Sequence, residues 1–228
     1  MSEEHIYETQ REEVAEATAQ RDFTVGFLKG NSLTPQKNVV IPPYAVETLV
    51  ENHVPVRVER RLGKGADFID LDYADAGALI DDDPQFVWRK ADILVCLRPL
   101  TIDELAQLKD NQILISPMTM ADVTVDHLMV LQIKQITALS LRFIQNVEGG
   151  ELLQDIIHAE GGPYVASNAL GDLVLSLIFP IIFNSGLRYA VSANPALIQA
   201  IYCYRGYLVH PEIAEQYGLP CADLLEML

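Results

Sequence analysis

Cationic residues are scarce in this chain. Its 228 residues include 16 lysines and arginines against 32 aspartates and glutamates, a formal net charge of −16. Nucleic acid and anionic membrane surfaces repel such a chain, so neither is expected as a partner. Cysteine is scarce too. Cys96, Cys203 and Cys221 are odd in number and far apart, which gives no disulfide framework and no metal-ligand spacing. Cys96 falls in mid-strand and reads as a small buried residue. The opening MSEEHIYETQREE has no basic stretch leading into an apolar one, so no signal peptide is expected and a cytoplasmic location is the default. The run LVLSLIFPIIF (173–183) resembles a membrane span in composition only. It has about half the length a span needs, contains Pro180 and follows Asp172, and is expected as a buried helix on a sheet.

Several chemistries lack their residues. Gly63-Lys64-Gly65 reads as a loop and could begin a dinucleotide fingerprint, but Phe68 stands where the third glycine belongs, which rules out a phosphate cradle there. Asp81-Asp82-Asp83 do not converge as cation ligands; a solvated loop capping a helix at 86–90 is expected instead. No Ser-His-Asp ordering and no zinc spacing is found. His127 has no ligand-spaced partner and reads as a surface or boundary residue, and His158 as packed or solvated.

What the sequence does have is enough apolar residue for a core: half of the chain is hydrophobic. The most informative stretch is Ala91–Asp122. ILVCL is a strand-length apolar run closed by Pro99. TIDELAQLK follows as a helix with Thr101 as N-cap and Asp103 and Glu104 in its first turn, where the helix dipole favours acids. QILIS is the next buried strand, ended by Pro117. Strands alternating with helices predict a parallel sheet, with a ligand crevice at the strand carboxyl ends. Arg98 and the pair Met118–Thr119 lie at those ends. A guanidinium placed there suits a bidentate grip on a carboxylate; a surface salt bridge is the alternative.

The rest of the chain extends the same pattern. Residues 1–22 form an acidic, helix-permissive leader. FTVGFL (23–28) and VPVRVE (54–59) read as strands. A turn-rich loop (Gly30, Asn31, Ser32, Pro35) lies between FTVGFL and VVI (39–41), and Pro42-Pro43 start an amphipathic helix through Val46, Leu49 and Val50. DFIDLDYADAGALI reads as a short helix ending at Gly77 and a small strand. A helix near 122–134 precedes ITALSLRFI (136–144), expected as the last strand. Beyond Gly149-Gly150 the chain reads as mostly helical. The expected fold is α/β: a three-layer α/β/α arrangement with a mainly parallel, flavodoxin-like or Rossmann-like sheet. A single domain spans 23–228, with a βα core at 23–145 and a helical return segment at 146–228 packed on the sheet.

In order and spacing these segments resemble the substrate-binding domain of the alanine dehydrogenase and pyridine-nucleotide transhydrogenase alpha-subunit family. The resemblance runs over nearly everything after residue 22. FTVGFLKG resembles that family's opening strand, which usually ends in Pro-Lys-Glu, of which Lys29 survives. KNVVIPPYAVETLVENHVPVRVE resembles its strand-turn, helix and second strand. RLGKGADFIDLDYADAGALI resembles its glycine-containing loop and Ala-Gly-Ala, and WRKADILVCLRPLTIDELAQLKDNQILISPMTMAD follows the family segment without a gap. SANPALIQAIYCYRGYLVHPEIAEQYGL resembles the family's closing pattern.

Two departures shape what the resemblance implies. ELLQDIIHAEGG, similar to the end of the family's first part, runs almost directly into YVASNALGDLVLSLIFP, similar to the start of the second. The nucleotide-binding domain that lies between them in the family, with its catalytic aspartate, has no counterpart there, so no cofactor is expected in this chain. The second departure is in the cleft. The family's carboxylate-binding arginine matches Asn38, with Lys37 beside it; its substrate lysine matches Arg98; its histidine matches Thr119. A threonine hydroxyl does not titrate near neutrality and does not replace that acid or base. The implied site is Lys29, Lys37, Asn38, Arg98 and Thr119, with no catalytic residue. The implied function is binding of a small carboxylate or a protein partner, in a homo-oligomer. The alternatives are an oxidoreductase component that takes its NAD domain from another chain, and an oligomerisation module.

Overall fold

A computed structural model describes residues 23–29, 38–183 and 187–228. The leader at 1–22, most of the turn-rich loop before VVI, and Lys37 lie outside the described residues. The sheet has eight strands in the order β3-β2-β1-β4-β5-β6-β7-β8. The first six are β1 (Val25–Leu28), β2 (Val56–Glu59), β3 (Leu79–Asp81), β4 (Ile93–Cys96), β5 (Ile113–Ser116) and β6 (Thr137–Ser140). They pair in parallel, in the Rossmann-like 3-2-1-4-5-6 order.

Alternate residues of each strand serve two cores, which makes three layers. Val25, Phe27, Ile93, Val95, Ile115 and Leu139 face one cluster. It is covered by α1 (Pro43–Glu51), α2 (Asp70–Asp75) and the long α7 (Gly162–Phe183), among others. Leu28, Leu94, Cys96, Leu114 and Ala138 face the other. That side is covered by α3 (Pro84–Lys90), α4 (Ile102–Leu105), α5 (Val125–Ile133) and α10 (Pro211–Tyr217). Strands buried on both faces read as continuous apolar runs, which is why ILVC and ILIS stand out in the sequence. Gly26 lets α3 approach β1: a Cβ there would lie 2.7 Å from both Ala91 Cβ and Val87 Cγ1.

Local signals place the helix starts. Asp83 caps α3 by accepting from Gln85 N, and Pro84 takes the first helical position. Thr101 and Glu104 form a reciprocal capping box on α4. The remaining helices are α6 (Leu152–Ile157), α8 (Leu187–Ala193), α9 (Ala196–Ala200) and α11 (Leu224–Met227). The run 173–183 is the second half of the 22-residue α7, so its length alone does not exclude a span, contrary to expectation: α7 is long and apolar enough to cross a bilayer, and half of its most apolar window is buried inside the protein.

Four expectations need correction. The segment at 136–144 is not the last strand. β7 (Ile201–Tyr204) extends the sheet antiparallel to β6, and β8 (Tyr207–Leu208) pairs antiparallel with β7. They are joined by a two-residue turn, Arg205–Gly206, with φ of 48° and 84°. Both turn residues need positive φ, a geometry usually announced by Asn-Gly. Gly63–Gly65 is part of a 3-10 turn, Leu62–Ala66, rather than a plain loop. The helix expected over TIDELAQLK closes after one turn, at Leu105. His127 is neither at the surface nor at a boundary: it is 2% exposed, and its Nε2 lies 2.9 Å from the Tyr202 hydroxyl. Tyr202 belongs to β7, so the reason for His127's burial lies 75 residues away in the chain.

Candidate functional site

In a doubly wound sheet the crevice opens at the carboxyl ends of the strands, where the connections turn to opposite sides. Here that point lies between β1 and β4, neighbours in the sheet. Lys29 follows β1 and Arg98 follows β4, so they flank it. Thr119 follows β5, the next strand over. Three of the five expected residues thus come from adjacent strand ends. Asn38, half-buried, precedes Val39, whose N–H is held by the Ser167 hydroxyl of α7 at 2.9 Å. Lys37 is outside the described residues.

Each of the three has an internal partner. Lys29 Nζ lies 2.7 Å from Glu59 Oε1, and its backbone N–H donates to Glu59 Oε2 at 3.0 Å. Glu59 ends β2 and is 6% exposed. Arg98 holds Glu104 in a two-pronged grip, Nη1 to Oε2 at 2.6 Å and Nη2 to Oε1 at 2.7 Å. This is the bidentate geometry expected of an arginine gripping a carboxylate, with a carboxylate from the same chain. Glu104 also accepts from Thr101 N at 2.9 Å, so the fork and the α4 cap share one side chain. Thr119 donates its hydroxyl to Asp122 Oδ2 at 2.6 Å, and its N–H to the same oxygen at 2.8 Å.

Titration follows from these contacts. Partial burial works against ionising Glu104, but the Arg98 fork and the Thr101 bonds prevail and hold its carboxyl below the usual range. The same fork raises the Arg98 guanidinium further. Cys96, beside Arg98, is fully buried; desolvation pushes its thiol up to about 11, which leaves it unreactive near neutrality. His127, in the first turn of α5 beyond Thr119, is pushed down to about 4 by burial. It is neutral at pH 7 and packed against Tyr202, with ring centroids 5.9 Å apart.

Further buried polar groups sit at the ends of β5 and β6, and the sequence reading did not single them out. Ser140 Oγ donates to Met118 O at 2.6 Å. Its register partner Ser116 has a buried hydroxyl without a partner among the described residues. Arg142 pairs with Glu151 at 2.8 Å. The signal was a serine closing each apolar run, ILIS and TALS. Among the described residues no group of three His, Cys, Asp or Glu is placed to hold a metal ion. Among the described residues, Arg98 and Lys29 can grip an anion by exchange with Glu104 and Glu59. Its described strand-end side chains Lys29, Arg98 and Thr119 include none with an ordinary pKa near neutrality.

The family described as "Alanine dehydrogenase/PNT, N-terminal domain" matches residues 34–155. A solved structure of an L-alanine dehydrogenase superposes with a TM-score of 0.71 at 14% identity, over 86% of this chain and 99% of that one. A transhydrogenase from Sinorhizobium meliloti is similar over 54% of this chain and 36% of its own, with 18% identity and a TM-score of 0.47. A search of curated proteins finds no match.

Proposed function

This chain belongs to the alanine dehydrogenase/PNT N-terminal domain family, and we propose that it is a non-catalytic relative of that substrate domain, one that binds a small carboxylate or a protein partner at the strand-end crevice. The observation that carries this reading is the Arg98–Glu104 fork. The side chain expected to grip a ligand's carboxylate has the right geometry for one and is satisfied by an internal carboxylate instead. A ligand binds by displacing Glu104, and the displaced carboxylate returns when the ligand leaves.

The loss of chemistry is supported by Thr119, whose hydroxyl serves Asp122, and by His127, which is buried and neutral. Hydride transfer also needs a nicotinamide held against the substrate. Only residues 158–161 separate α6 from α7, at the point where the family resemblance puts a nucleotide-binding domain. We place the protein in the cytoplasm.

A thermal-shift series with small carboxylates on the wild type, Arg98→Ala and Glu104→Gln tests the reading. Stabilisation is expected to be larger in Glu104→Gln than in the wild type and absent in Arg98→Ala. No stabilisation by any acid, or the same stabilisation without Arg98, overturns it. Turnover of NAD(H) with alanine and pyruvate by the purified chain overturns the non-catalytic part.

A second reading rests on α7. Val165 and Phe183, 44% and 46% exposed, lie on a helix of which only half is buried, and a second copy of the chain would cover them. Sedimentation showing only monomer at working concentrations removes this reading.

A further inference from the structure

Beyond the carboxyl end of β2, the 3-10 turn Leu62–Ala66 and the start of α2 enclose an open cavity of about 370 Å³. It is lined by Arg61, Lys64, Asp67, Phe68, Ile69 and Asp70, and shares no residue with the Lys29–Arg98–Thr119 crevice. We propose that this cavity binds a small organic monocarboxylate with an apolar body, Arg61 and Lys64 taking the carboxylate and Phe68 and Ile69 the body.

Charge balance is the first observation. The formal charge is −16, so carboxylates are plentiful, and each described cation around the crevice has one: Lys29 with Glu59, Arg98 with Glu104, Arg142 with Glu151. Arg60, next in sequence, pairs with Asp70 and Asp82. Arg61 and Lys64 take part in none of the ion pairs among the described residues. Of the two carboxylates in the lining, Asp70 is engaged by Arg60 and by the Arg61 N–H, so the two cations outweigh the remaining Asp67 and attract an anion from solution.

The apolar floor is the second. Ile69 is 60% exposed, an apolar side chain left facing water in the cavity wall. Phe68 is held in place edge-on to buried Tyr73, with ring centroids 6.3 Å apart, and against Tyr164 of α7 at 5.6 Å. An aromatic surface fixed in this way offers a flat body a contact without further ordering.

The third is the backbone. Arg61 and Asp67, which bracket the turn, both adopt left-handed conformations, with φ of 63° and 62°. A bulky residue rarely does so, and such strain persists where surrounding contacts enforce it, often at binding sites. Here the Arg61 N–H donates to Asp70 at 2.6 Å, and Phe68 N to Gly63 O at 3.1 Å. A Cβ on Gly63 would lie 2.5 Å from Phe68 Cβ and 2.7 Å from Tyr73 Cε2. The turn is wedged into a shape that puts Arg61 and Lys64 in the lining of one cavity. Asp67 in the lining opposes a second negative charge, which selects a monoanion over a dicarboxylate or a phosphate.

Ligand-observed NMR titrations of the full chain with 3-phenylpropionate, the neutral 3-phenylpropan-1-ol and the dianion benzylmalonate test this. The variants are Arg61→Gln/Lys64→Gln, with its unfolding midpoint measured alongside, and Arg98→Ala. Saturable binding of 3-phenylpropionate is expected in the wild type and in Arg98→Ala. At least about a tenfold loss is expected in the folded double variant, with weaker binding of both the alcohol and the dianion. Absence of saturable binding, equal affinity in the double variant, or equal affinity for the alcohol overturns the proposal. Loss in Arg98→Ala alone assigns the ligand to the crevice and overturns it too. Because the crevice reading turns on Arg98 and this one on Arg61 and Lys64, the two fail separately.

Discussion

The crevice at the strand ends and the cavity beside the 3-10 turn use the same kinds of residue in opposite ways. In the crevice each described cation is neutralised by a carboxylate of the same chain, and the gripping side chains are part of caps and strand ends. In the cavity Arg61 and Lys64 are exposed and unmatched among the described residues, and strain sits in the backbone that brackets the turn. A paired cation contributes to the fold and binds a ligand only by exchange. An unpaired one contributes little to the fold and is ready for a ligand. The difference implies that crevice variants should change stability, whereas charge variants of the cavity should leave it alone.

The largest effect should come from the helix–sheet packing beneath the crevice. Gly26→Val places a side chain where α3 touches β1, with contacts at 2.7 Å. We expect a loss of about 3 kcal/mol, read as a lower denaturant midpoint at unchanged slope. A loss under about 1 kcal/mol would show that α3 yields freely.

Next comes acid. His127 has a folded pKa of about 4, below its ordinary value of about 6.5. The unfolded chain therefore binds more protons than the folded one between those pH values. Stability from this group is complete above about pH 6.5 and declines as pH falls toward 4. Between pH 6.5 and 5 the loss should be about 2 kcal/mol, before most carboxylates titrate. His127→Gln should flatten that slope in equilibrium unfolding at a series of pH values; an unchanged slope would assign it to other groups.

Glu104→Gln removes the charge that both Arg98 and the α4 cap use. A loss of about 1 kcal/mol is expected, smaller in the Arg98→Ala background, because the two changes remove one shared interaction. Additive losses would mean that the pair is not coupled. Arg61→Gln/Lys64→Gln should change stability by no more than about 0.5 kcal/mol. A larger loss would show that these cations support the fold after all and would erase the contrast.

Much of the fold was legible in the residues. ILVC, ILIS and VGFL are short apolar runs bounded by proline or turn residues, and a parallel sheet buries such strands on both faces. Thr101 and Asp83 announced their helices because a cap is a local hydrogen bond, complete within three or four residues. β7 and β8 were not legible. IYCY follows directly on the short α9, and the turn that pairs it is Arg-Gly, a dipeptide that does not signal positive φ at its first residue. Nor was His127: on α5 it reads as one more polar residue, and only its partner on β7 shows why it is inside.

The candidate site divides along the same line. Arg98, Lys29 and Thr119 could be placed at strand ends from sequence, because strand order and polarity follow from alternation. Their partners could not all be foreseen. Glu104 is six residues from Arg98 and was visible as a first-turn acid, but Glu59 is thirty residues from Lys29 and meets it only through the pairing of β1 with β2.

By itself, then, the sequence determined the fold class, the helix starts and which side chains lie at the strand ends, since each rests on periodicity or on contacts a few residues apart. Only the tertiary structure decided which charges are spent and which remain free. That depends on which strand ends and turns the sheet brings within about 3 Å of one another, the distance at which an ion pair becomes a bond with direction.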